Sequence, residues 1–135
     1  MVILIIFVVV ASLIPRVSQT LGHTRVNRSA YVIAADFLLA QSLAARQHSP
    51  VVVTVSSAAR TITISQPPPA NTVLRTDRFD VNSDLRVDSL FAAPSSVQVM
   101  PNGLATTTIL VTVGRPTAWY HQVRMTQAGQ VRITR

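Results

Sequence analysis

Three sets of side chains in this 135-residue sequence could do chemistry: its histidines, a run of aspartates and a group of arginines. The histidines are His23, His48 and His121. No two of them stand at metal-ligand spacing, and no Ser or Asp completes a recognisable catalytic arrangement with them. There is no cysteine, which removes disulfides, thiolate metal sites and thiol catalysis together. The sequence therefore reads as that of a non-enzyme, with no catalytic residue, no cofactor and no metal site expected.

Asp80, Asn82, Asp84 and Asp88 fall at positions 1, 3, 5 and 9 of a calcium loop. Leu85, however, stands where such a loop needs glycine, and Phe91 where it needs a bidentate glutamate. Arg78 and Arg86 also intervene. A solvated strand face with Arg–Asp pairs is the preferred reading, each pair contributing about 0–1 kcal/mol.

The arginines carry more information. All twelve basic residues are arginine, set against five aspartates and no glutamate, for a formal net charge of +7. Such a balance attracts polyanions or anionic headgroups. Arg115, Arg124, Arg132 and Arg135, with Trp119 and Tyr120 nearby, could form a DNA- or anion-binding patch, since arginine on phosphate plus aromatic stacking gives sequence-tolerant binding. A positive face meeting acidic neighbours or lipid headgroups is preferred to DNA. Trp119 itself is expected in core or rim packing, because aromatics are only 5% of the residues.

These groups must be positioned by what surrounds them. Met1–Ile14 carries no charge, and Ser12 is its only polar group. This run falls short of the ~20 apolar residues that span a bilayer. It also lacks the basic n-region and small-residue cleavage site of a secretory signal. The preferred reading is that residues upstream of Met1 are missing. Pro15, which lacks an N–H, predicts a kink. Val17–Gln47 continues as an amphipathic segment, with Ala30, Ile33, Ala34, Phe37, Leu38, Gln41 and Ala45 making one stripe. Arg25, Asn27, Arg28, Asp36, Arg46 and Gln47 fall mostly off that stripe, and Gly22 is a soft spot. His48-Ser49-Pro50 ends the helix.

Beyond it the periodicity changes to two. Val51–Ser56 and Thr61–Ser65 alternate around Ser57-Ala58-Ala59-Arg60, which sets Val55 opposite Ile62 and Val53 opposite Ile64. Gln66–Asn71 contains three prolines and reads as a stiff connector. Arg78–Asp88 alternates strictly, which is strand periodicity, with a turn at Asn82-Ser83-Asp84 as its one expected break. A strand at Val97–Met100, a turn at Pro101-Asn102-Gly103 and a strand at Thr106–Val113 follow. In the last hairpin a three-residue loop with Gly129 left-handed sets Met125 on Val131 and Val123 on Ile133. It also sets Arg124 directly opposite Arg132, an unfavourable pair unless it is exposed or neutralised. The fold class is α+β: one long N-terminal helix on an antiparallel sheet domain. Residues 1–15 are its membrane or fibre-core half, 16–48 its amphipathic half and 49–135 the β-domain.

MVILIIFVVVASLIPRV at the start, ADFLLAQSLAARQHSPV at the helix end and VMPNG…TTTILVTVG…QVRMTQAGQVRITR at the end together resemble the type IV pilin superfamily. Within it the chain is similar to the GspH/FimT group of minor pilins and pseudopilins. The resemblance covers nearly the whole chain and is least clear over Gln66–Pro94. It implies a structural subunit of a type II secretion or type IV pilus fibre, with other pilins as partners. It further implies a single-pass helix in the inner membrane, a periplasmic β-domain, and a precursor cut by prepilin peptidase and then methylated. The family's leader and its Glu would stand just ahead of Met1. DNA-binding relatives carry Gly-Arg-x-Arg in the terminal hairpin; here Gly129-Gln130-Val131-Arg132 keeps the glycine and one arginine. A DNA-binding minor pilin at a pilus tip is the alternative reading.

Overall fold

The computed structural model describes the backbone of residues 2–115 and 117–135, and the side chains of 21–115 and 117–135. Helix α1 runs from Val2 to Gln47 as one element of 46 residues, about 69 Å at 1.5 Å per residue. The side chain of Pro15 lies outside the described residues, and the expected kink with it. The helix stops where the sequence says it should. His48 turns left-handed at φ 50° and the Ser49 N–H returns to the Ala44 carbonyl at 3.3 Å, just before Pro50. Among the described residues no helix is long and apolar enough to cross a membrane.

Among the described residues eight strands follow: β1 (Val51–Ser56), β2 (Thr61–Ser65), β3 (Val73–Arg78), β4 (Leu90–Ala93), β5 (Ser96–Val99), β6 (Ile109–Arg115), β7 (Trp119–Met125) and β8 (Val131–Thr134). They form two four-stranded antiparallel sheets, ordered β3-β2-β1-β5 and β4-β6-β7-β8. The α+β expectation holds, with two sheets where one domain sheet was expected. Both hairpin registers come out as the matching of apolar faces requires. Val55 pairs with Ile62 and Val53 with Ile64; Met125 pairs with Val131, Val123 with Ile133 and Arg124 with Arg132. A one-residue slip in either hairpin would turn its buried residues outward, which is why the pattern fixes the pairing. Arg124 and Arg132 are both exposed, so water screens their repulsion.

Two expectations need correction. Arg78–Asp88 is not a strand beyond Arg78; residues 79–88 form a loop of turns that closes on itself. Asp80 Oδ1 accepts the Asn82 N–H and Ser83 Oγ accepts the Leu85 N–H, the side-chain bonds by which Asp and Ser pull a backbone out of extended form. Phe79 and Val87, buried at its two ends, are tied by the Val87 N–H on the Phe79 carbonyl, while Val81 is exposed. The alternation was that of two anchors around a solvated tip.

The buried stripe of α1 also lies one step around from the expected one. It is Val26, Ser29, Ala30, Ile33, Asp36, Phe37, Ala40 and Ala44. Leu38 is 54% exposed and Ala45 is exposed, whereas Asp36, assigned to the outside, is 2% exposed. Small residues decide this: Ala30, Ala40 and Ala44 allow the helix to approach the sheets closely, and the larger Leu38 stays out. Among the described residues the core is a single cluster joining that stripe to Val51, Val53, Ile62 and Ile64 of the first sheet and Ile109, Val111, Val113, Val123 and Met125 of the second. It is aliphatic apart from Phe37 and Phe79, and burying each such side chain contributes about 1.5–3 kcal/mol.

Candidate functional site

The arginines singled out in the sequence divide between two faces of the second sheet. Arg124 and Arg132 are paired on β7 and β8, exposed on the side opposite to buried Val123 and Met125. Arg115, at the end of β6, and Arg135, past the end of β8, line a groove beside α1 with Trp119. The groove has a volume of about 930 Å³, and its walls bring in Arg25 from the helix and Arg86 from the 79–88 loop, neither expected there. Tyr120 alternates with Trp119 along β7 and is not among the groove residues.

Trp119 organises this place. Its ring is half-buried on α1 against Gly22, where an added Cβ would collide with the indole. The glycine that looked like a weak point in the helix is the notch that admits the ring. His23 stacks on the same indole at 5.4 Å between centroids and 2° between planes. His121 meets His23 edge-on at 6.4 Å, so two histidines remote in sequence are neighbours. Arg135 Nη2 lies 3.4 Å from His23 Nε2, tying the end of the chain to the helix.

The charge is one-sided. Four arginines line the groove against one acidic residue, Asp88. Arg115 Nε holds Asp88 Oδ2 at 2.6 Å in a pair whose members are 63% and 51% exposed, which contributes about 0–1 kcal/mol. Arg25, Arg86 and Arg135 have no acidic partner among the described residues. Of the calcium-loop residues, Asp80, Asn82 and Asp84 line one pocket, while Asp88 is turned to the other groove and paired with Arg115. Among the described residues no three His or Asp side chains come together to hold a metal.

A second polar feature escaped the sequence reading. Asp36, in the buried stripe of α1, faces the edge strand β3. Arg75 Nε lies 3.4 Å from its Oδ1, but the same guanidinium holds Asp77 Oδ2 at 3.0 Å. Burial, and the Asp77 carboxyl beside it, push the Asp36 carboxyl up to about 8. The shared Arg75 pulls the other way and does not win. Asp36 Oδ2 is buried with no donor reaching it, which fits an acid that keeps its proton. The available signal was positional: Asp36 is three residues from Ile33 and four from Ala40, on the buried stripe itself.

No protein-family model matches this sequence, and no curated protein matches it either. Solved structures do match in shape. The type IV minor pilin FimU of Pseudomonas aeruginosa superposes in two crystal forms, both at 14% identity. One gives a TM-score of 0.68 over 83% of this chain and 90% of that one; the other gives 0.63 over 81% and 92%. The minor pseudopilin EpsH of the Vibrio cholerae Type 2 Secretion System gives 0.61 at 16% identity, over 82% of this chain and 96% of that one. At such identities the likeness is one of fold, and the fold is pilin-like: a long N-terminal helix packed on antiparallel sheets.

Proposed function

We propose that the chain is a minor pilin or pseudopilin of the GspH/FimT kind, a non-enzymatic subunit of an envelope fibre. The observation that carries this reading is a single helix with two different ends. Its second half is built into the head through Ile33, Phe37, Ala40 and Ala44. Its first part has the uncharged sequence Met1–Ile14. An all-round apolar helix segment needs lipid or a bundle of similar helices around it. Transfer from bilayer to fibre core exchanges one such surrounding for another, and the helix keeps its backbone hydrogen bonds throughout. Leu21, Tyr31 and Leu38, exposed on α1 away from the sheets, extend the surface open to neighbouring subunits. In this reading the precursor is processed by prepilin peptidase and methylated, the helix waits in the inner membrane, and the head stands in the periplasm.

The absence of cysteine makes the test clean. Cysteines placed singly at Ile6 and Val10, expressed with the other fibre subunits of the host and oxidised, should cross-link to neighbouring subunits. A cysteine at exposed Ala58 on the β1–β2 loop serves as the control. Cross-linking no greater at Ile6 and Val10 than at Ala58 overturns the proposal.

A further inference from the structure

We propose that the groove around Trp119 binds the phosphate of an anionic lipid headgroup, seating the head on the bilayer surface. The proposal rests on the reading above, that the Met1–Ile14 run sits in lipid before assembly. Arg25, Arg86, Arg115 and Arg135 converge from four separate parts of the chain on one open groove. Three of them lack an acidic partner among the described residues, so their charge is available to a ligand. Guanidinium is planar and matches phosphate oxygens two at a time.

Position names the source of that phosphate. Gly22, in the groove wall, is eight residues beyond Ile14 on the same helix, about 12 Å along its axis. Side chains on a helix lean back toward its N-terminus, so Arg25 reaches toward the apolar end. A hydrocarbon boundary near Ile14 therefore places the arginines within reach of the headgroup layer. Tryptophan is the residue that belongs at such a boundary, with a large apolar ring and one polar N–H.

Single-stranded nucleic acid fits less well. Binding it takes an open aromatic face for bases to stack on. Here His23 already stacks on the indole, 5.4 Å between centroids, and the ring is packed against Gly22. Arg124 and Arg132, the natural continuation of a backbone track, are on the other side of the sheet.

Trp119 is the only tryptophan, so its emission reads the groove directly. The full chain in neutral detergent micelles is titrated with phosphatidylglycerol, with phosphatidylcholine and glycerophosphoglycerol as comparisons. Phosphatidylglycerol should change the emission saturably, and phosphatidylcholine should not. Arg86→Ala plus Arg135→Ala should raise the mole fraction needed by roughly tenfold, Arg25→Ala should raise it less, and Arg124→Ala plus Arg132→Ala should leave it unchanged. An equal response to both lipids overturns the proposal. So does an equal response to inorganic phosphate or to soluble glycerophosphoglycerol, which would mark a site for free anions. Displacement of the lipid by oligothymidylate, weakened by loss of Arg124 and Arg132, overturns it in favour of nucleic acid. Cross-linking at Ile6 without a lipid response removes this proposal alone; a lipid response without cross-linking supports it and removes the fibre reading.

Discussion

Asp36 is a carboxyl placed where a carboxylate is costly. One side of it is apolar core, and the guanidinium that approaches it is shared with Asp77. In the unfolded chain it titrates near 4, as aspartates do in water, and in the folded chain at about 8. Between those values the folded state keeps a proton that the unfolded state has lost. The contribution to stability is therefore complete below about pH 4, declines as pH rises and is gone above about pH 8. Asp36→Asn keeps the shape and has no proton to lose. Urea unfolding followed by Trp119 emission should show a flatter pH profile for the variant across that window. At pH 8 the variant should be the more stable by on the order of 1 kcal/mol or more. A parent profile no steeper than the variant's would count against the assignment. At this scale the sequence was least legible. Spacing put Leu38 on the buried stripe and Asp36 off it, yet the helix lies on the sheets in the orientation that reverses both. The groove was half legible: Arg115 and Arg135 were visible, while Arg25 and Arg86 reach it only through tertiary packing.

At the scale of elements, legibility followed how far each pattern depends on its own neighbours. The two hairpins were readable because matching apolar faces and one turn residue settle their register. Residues 79–88 were not, because alternate burial there comes from two anchors, Phe79 and Val87, on a loop that closes on itself. The terminal hairpin shows how much one residue can hold. Gly129 sits at φ 84°, its carbonyl accepts the Gln41 amide at 2.7 Å, and an added Cβ would stand 2.3 Å from the Gly103 carbonyl oxygen. The turn is thus left-handed and also pressed against both the helix and the Pro101–Gly103 turn. Gly129→Ala should cost more than about 2 kcal/mol, combining the left-handed penalty with a backbone collision. Gly103 has a similar φ of 84° but nothing within 4 Å of an added Cβ, so Gly103→Ala should cost about 1–2 kcal/mol. Chemical denaturation of the two variants side by side checks the order. Equal costs would show that the contact with Gly103 does not constrain the hairpin.

In the whole molecule the two sheets meet a single helix stripe. Phe37 is fully buried in it, in a core cluster to which both sheets contribute. The loops after β5 and β7 are also joined, where the Ala105 N–H donates to the Gln127 carbonyl. A head assembled this way should unfold as one cooperative unit, because neither sheet keeps its buried face once the helix leaves. Phe37→Ala removes the largest side chain of the stripe and should cost about 3–5 kcal/mol. The loss should be shared. Trp119 emission reports the second sheet and the helix, and amide exchange in β1 and β2 reports the first. Both should shift to lower denaturant together in the variant, as they should coincide in the parent. A variant in which the β1–β2 amides exchange early while Trp119 keeps its native emission would show that the helix belongs to the second sheet alone.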